Sequence, residues 1–150
     1  MDISLRLYHG TVYIPTGHLV VGHGFYLGKE PVDSVPVEQT GKLRECVIAA
    51  LARGNPPISR NEARTILSDS RNSAILKATQ AKSWDALDRQ TKGLWGLVEK
   101  DGLYQIRVDQ PRETRGWHED ETKRILFPPE TPVEDVIDRL IAMIQACAQE

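Results

Sequence analysis

The sequence predicts an α+β fold, a single domain built on a largely antiparallel sheet of five to seven strands with helices packed on one side. Three observations carry this expectation. The first forty residues alternate β-favouring runs with glycine and proline. Two alternating segments in the second half meet at Asp101-Gly102, a strong hairpin signal. The stretches 39–53 and 131–148 each carry one apolar helical stripe. Strands cluster apart from helices, which favours α+β over an alternating βα arrangement. At 150 residues, one domain spanning 1–150 is expected.

In chain order, Leu5–Tyr8, Thr11–Ile14, His18–Val21, Gly24–Leu27 and Val32–Val37 read as short strands of a meander. Pro15-Thr-Gly17 and Gly22-His-Gly24 read as the turns between them. From Gln39 to Arg53, Leu43, Val47, Ile48 and Leu51 recur on one helical face, and Gly54-Asn-Pro-Pro57 ends the helix. Ser59, with Glu62 three residues on, caps a second short helix reaching Leu67. Ala74-Ile-Leu76 is apolar but too short to assign. Ser83 caps a turn or two of helix whose one face carries Trp84 and Leu87, with Asp85 and Asp88 near its positive end. Leu94–Glu99 and Leu103–Val108 form the hairpin, with Tyr104, Ile106 and Val108 facing inward and Gln105 and Arg107 facing water. Residues 110–121 read as a polar loop and Lys123–Phe127 as a further strand. Thr131-Pro-Val-Glu134 matches a capping box with proline at the first helical position, followed by the stripe from Val133 through Val136, Ile137, Leu140 and Ile141 to Ile144.

Composition is that of a folded globular protein, 40% hydrophobic and 27% charged, and the net charge of −2 lacks the basic excess that accompanies direct nucleic-acid binding. The apolar runs are too short for a membrane span or a leader, so no membrane partner and a cytoplasmic location are expected. Cys46 and Cys147 read as reduced thiols in or near the core. Trp84 and Trp95 also read as core residues, while Trp117 fits either a buried ring or an exposed anchor.

Candidate chemistry is sparse. Tyr8-His9-Gly10-Thr11 and Gly22–Leu27 superficially resemble ADP-ribosyltransferase folds. In those, such a histidine holds the nicotinamide ribose, an aromatic stacks the ring, and an acid, here Glu119 or Glu121, stabilises an oxocarbenium-like transition state. The 17 residues between His9 and Tyr26 leave little room for the intervening helix of that family. The four histidines lack companion ligands at metal-binding spacing, so neither a metal nor a cofactor is expected. Gly-x-Ser-x-Gly and phosphate-loop patterns are missing, and no catalytic residue is assigned.

From about residue 39 to 146 the chain resembles the immunity proteins of bacterial contact-dependent growth inhibition systems. The landmarks are the helix ending before Gly54-Asn-Pro-Pro57, Lys82-Ser83-Trp84 opening a short helix, the hairpin Val98–Ile106, the Gly116-Trp117 loop, Lys123–Phe127 and the C-terminal helix. The resemblance implies a non-enzymatic protein that neutralises a cognate toxin domain, commonly a nuclease, by protein–protein binding. Contact residues do not carry over from that family; they are chosen here from charge and aromatic placement. Asp85 and Asp88, the loop residues Trp117, Glu119, Asp120 and Glu121, and the outer helix face Glu134, Asp135 and Asp138 are the candidates. The alternatives are the NAD-using enzyme above and an oligomeric structural protein; the sequence leaves the oligomeric state open.

Overall fold

A computed structural model describes residues 1–150. Strands β1 (Asp2–Tyr8), β2 (Thr11–Val20) and β3 (Tyr26–Pro36) open the chain, followed by α1 (Thr40–Arg53), the two-residue β4 (Pro57–Ile58) and α2 (Arg60–Ser68). A 3-10 turn at Ser70–Asn72 leads to α3 (Ala74–Thr79) and α4 (Trp84–Gln90). The hairpin β5 (Thr91–Lys100) and β6 (Leu103–Pro111) comes next, then β7 (Trp117–Glu119), a 3-10 turn at Glu121–Lys123, β8 (Ile125–Leu126) and α5 (Val133–Ala148). The eight-stranded sheet runs β3-β2-β1-β5-β6-β7, with β4 added to β2 and β8 to β6. Every pairing is antiparallel except the short β2–β4 contact. The expected α+β class is therefore what the chain adopts, with eight strands rather than five to seven and helices on both faces rather than one.

Period-two alternation divides β1 between the two sheet faces. Ile3, Leu5 and Leu7 join Val12, Ile14, Trp95, Leu97 and Ile106 beneath α1 and α5, in a core of 18 buried residues. The stripe of α5 supplies Val136, Ile137, Leu140, Ile141 and Ile144, as its spacing predicts. Gly93 makes this possible for Trp95: a Cβ there would sit 2.2 Å from the indole ring. Tyr8 turns to the opposite face and packs with Ile75, Leu76 and Leu87, so α3 and α4 cover part of the second side. α2 seals a third cluster through Ala63 against Val20 and Ile58.

Several local expectations are corrected. The five N-terminal strands are three, because Pro15 and Gly17 lie inside β2 and Gly28 inside β3. The β1–β2 ladder covers only Arg6–Tyr8 against Thr11–Tyr13, so Pro15, which has no N–H to give, sits where β1 no longer asks for one. Beyond that point the strands fork. The Asn55 side chain bridges the gap, accepting from Asp2 N at 2.8 Å and donating to the carbonyls of Asp2 (2.9 Å) and Gly17 (2.7 Å). A Cβ on Gly17 would lie 3.0 Å from the Asn55 amide nitrogen, so glycine there keeps the bridge.

The unassigned Ala74-Ile-Leu76 is helical, capped by Ser73 and stopped by Gln80 in the left-handed region. Ser59 and Ser83 cap as expected, accepting from Glu62 N and Ala86 N. The capping box at Thr131 does not form. Its hydroxyl donates to Pro128 O at 2.6 Å, and Pro132, extended at ψ 137°, stands at the cap position with α5 beginning at Val133. Of the polar loop, Gln110, Pro111 and residues 117–119 join the sheet edge, and of Lys123–Phe127 only Ile125–Leu126 is strand. Cys46 and Cys147 are free and half-buried.

Candidate functional site: a charged groove on the open sheet face

Where the sheet forks, its second face is left uncovered between the β2–β3 end and the α2–α4 segment, forming a groove of about 640 Å³. Its floor is set by cross-strand register. Ser4 stands beside Gly96 and Gly96 beside Arg107, while Arg6, Leu94 and Asp109 form the next row. Alternation sends Asp2, Ser4 and Arg6 of β1 to this side, and Arg107 and Asp109 of β6 with them.

Gly96 gives the floor its shape. The Arg107 guanidinium lies across it, so close that a Cβ there would be 2.8 Å from Nη2. From that seat Arg107 donates through Nη1 to Asp2 Oδ2 at 3.0 Å and faces Asp109 Oδ1 with Nε at 3.3 Å. In the adjoining row Arg6 donates to Asp88 Oδ1 at 2.9 Å and to Thr91 Oγ1 at 2.7 Å; Thr91 in turn donates to Leu87 O. At the edge, Glu119 stands opposite Asp109 in register and accepts two bonds from Arg124, at 2.6 and 2.8 Å.

Burial of Asp109 pushes its carboxyl above the ordinary carboxylate range; Arg107 pulls it back in part, and Glu119 and Asp2 add to the rise. For Arg107, desolvation opposes the charge, but Asp2 and Asp109 outweigh it and its pKa rises. The Arg124 hydrogen bonds hold Glu119 below its usual value. Around this charged floor the rim is apolar and open to water: Phe25 is 42% exposed, Tyr26 40%, Trp84 40% and Leu67 62%.

The expected contact residues fall in three places. Asp88 and Glu119 belong to the floor network, paired with Arg6 and Arg124 rather than forming an unpaired acidic rim. Asp85 pairs with Arg115 at 2.8 Å in a shallow depression of about 200 Å³ that it shares with half-buried Trp117, whose indole N–H is buried without a partner. Arg89 and Arg112 also line that depression, so the patch is not acidic. Asp120 caps the following 3-10 turn, accepting from Thr122 N and Oγ1, and Glu121 is exposed on that turn. Glu134 and Asp135 are exposed in the first turn of α5, and Asp138 on the same helix pairs with Arg44; all three belong to the helical side, away from the groove. Trp84 is a correction, since the expected core ring stands at the groove rim. The wet face expected for Arg107 is instead a half-buried floor.

A comparison with protein-family models finds no match, and one with curated proteins finds none either. Among solved structures the fold has a counterpart. A Neisseria meningitidis protein described as a protein of unknown function, NMB0488, matches with a TM-score of 0.64 over 91% of this chain and 88% of that one, at 14% identity. The likeness is one of fold.

His9 and Tyr26 do not meet. His9 sits at φ 49° in the β1–β2 turn, stacked on Tyr8 and bonded to Gln90, whereas Tyr26 pairs with Leu19 at the far end of β2. The strand between Thr11 and Leu19 separates them by roughly 25 Å at about 3.3 Å per residue. No three His, Cys, Asp or Glu side chains converge in a metal-holding group, and no helix is long and apolar enough to cross a membrane.

Sequence reasoning missed Arg6, Arg107, Asp2 and Asp109 as a group. The available signal was charge on one alternate face of otherwise aliphatic strands, in Asp2-Ile-Ser-Leu-Arg6 and Arg107-Val-Asp109. That both strands flank β5, and so converge, is a property of the pairing.

Proposed function

We propose that this protein is a non-catalytic immunity protein that binds a cognate toxin domain of a contact-dependent growth inhibition system, a nuclease, in the cytoplasm and neutralises it by protein–protein contact. The observation that supports this best is the groove itself. Interface centres are enriched in aromatic residues and arginine, and here Phe25, Tyr26 and Trp84 stand exposed around buried Arg6 and half-buried Arg107, each paired with an aspartate. Such a surface is fixed before a partner arrives, so little ordering cost accompanies binding. The landmark order along residues 39–146 is the second support. The separation of His9 from Tyr26 along β2 favours this reading over an NAD-using enzyme that would bring the two together.

The test is to read the neighbouring gene for a toxin domain and to co-express that domain with this protein. Protection of the host and a complex that survives purification are expected, with association slowing as salt rises if acidic groups such as Glu119, Asp120 and Glu121 steer a basic nuclease. Absence of any complex, or nicotinamide release from NAD by the purified protein that His9→Ala abolishes, would overturn the proposal.

A further inference from the structure

Of the two arginines that line the groove, Arg6 is matched by Asp88, whereas Arg107 alone serves both lining carboxylates, Asp2 and Asp109. The shortfall is localised. Asp88 has Arg6 at 2.9 Å, Asp2 has Arg107 at 3.0 Å and Glu119 has both donors of Arg124, but Asp109 has only the 3.3 Å contact with Arg107 Nε. Its side chain is 12% exposed, and it lines the groove. A carboxylate offers about four acceptor sites, and one this buried is ordinarily met by a donor.

The surroundings narrow what that donor is. A metal ion is disfavoured because no third ligand converges with Asp2 and Asp109. A free small amine would leave the apolar rim unused. An arginine or lysine side chain uses both, its stem covering apolar surface while its head reaches the carboxylate, and a cation passing Tyr26 or Trp84 gains from the ring face. The fork adds main-chain partners. The backbone N and O of Asp2 turn away from β5 toward Asn55, and Ser4, two residues on, turns the same way, where β2 offers it no ladder partner. An extended segment lying in the groove would meet the main-chain groups of Ser4, those of Asp2 being held by Asn55.

We infer that the groove is a docking site for one basic side chain, arginine or lysine, on an extended segment of a partner protein, with the cationic head against Asp109 and the stem along Tyr26 and Trp84. For the partner's identity this rests on the toxin-binding proposal; the groove's chemistry stands apart from it.

The probe is the tripeptide acetyl-Gly-Arg-Gly-amide, titrated into the full-length protein and followed by amide and indole NMR shifts. Saturable shifts are expected at Gly96, Asp109 and the Trp84 indole, with none from the citrulline counterpart, which keeps the shape and loses the charge. Asp109→Asn is expected to bind about tenfold more weakly, the loss of one charge-assisted hydrogen bond. Trp84→Ala, altering an exposed ring, is expected to weaken binding by about threefold. Unchanged shifts among α1 and α5 amides in each variant show that the fold is retained. Equal binding of the citrulline peptide, equal binding by Asp109→Asn, or shifts centred on Glu134 and Asp138 would overturn the assignment, as would no shifts at all. With the toxin domain, wild-type protection that Asp109→Asn and Trp84→Ala leave intact overturns the groove assignment and spares the toxin proposal. Saturable peptide binding by a protein that never engages the toxin does the reverse.

Discussion

The two faces of the sheet are built from the same strands by the same alternation, yet they are held by different physics. Under α1 and α5, Leu5, Leu97, Ile106 and Leu140 are fully buried among aliphatic neighbours, and stability there follows area removed from water and close packing. On the other face, Arg6 pairs with Asp88 of α4 and Arg107 with Asp2 and Asp109, all largely withdrawn from water. Pairs of this kind contribute little net stability compared with apolar residues of similar size, but removing one partner is costly. A chain that needed only to fold could have placed aliphatics on both sides. Retaining a charged floor beneath an aromatic rim is what the recognition role proposed above requires.

Truncation on the helical face should give the largest effect. Leu97→Ala removes a fully buried side chain from the centre of that core and is expected to cost about 2–5 kcal/mol in urea unfolding, with binding of the basic peptide unchanged after refolding. A similar loss of peptide affinity would mean that the faces are not independent.

On the groove face, Arg6→Met keeps the volume and strands Asp88 and Thr91 Oγ1 without their donor. A loss of about 2 kcal/mol is expected. Little or no change would show that water satisfies both groups and that the row is less withdrawn than its geometry implies.

The pH dependence divides two facing carboxylates by sign. Asp109 has a raised folded-state pKa, so its contribution is present below the unfolded carboxylate value and is lost as pH rises through the folded one. Glu119 has a lowered pKa, so its contribution is present above the unfolded value and is lost as pH falls through the folded one. Wild type should therefore gain on Asp109→Asn, and lose against Glu119→Gln, as the solution is acidified through the carboxylate range. Parallel slopes in denaturation series would break the distinction between a buried floor and its screened edge.

The smallest effect is expected at Arg115→Ala, which frees exposed Asp85 from an exposed partner and should shift stability by no more than about 0.5 kcal/mol. A larger change would point to Trp117 and its neighbours as a packed unit rather than a surface depression.

Legibility in the sequence tracked the range of the interaction. Ser59 and Ser83 each accept from an amide three residues on, and the α5 stripe repeats within each turn, so these features could be read locally. Asp101-Gly102 likewise carries positive φ at both residues of a tight hairpin. Thr131 shows the limit of even a local motif, because its hydroxyl had a nearby carbonyl at Pro128 to choose instead. Trp84 shares its helix with fully buried Leu87, but only the path of α4 over the sheet decides which ring meets water.

By itself, then, the sequence determined the α+β class, the two long helices with their buried stripes apart from Ile48, which is exposed, the hairpin and most of the serine caps, since each depends on hydrogen bonds or periodicity within a few residues. Tertiary structure decided the groove. Arg107 meets Asp2 across 105 residues through the register of β1 and β6 on either side of β5, and Arg6 meets Asp88 across 82 where α4 packs against the end of β1. Asn55, arriving just beyond the end of α1, bridges β1 and β2 where they fork. A charge on a strand states that it faces one way or the other; its partner is fixed only when the strands have been placed side by side.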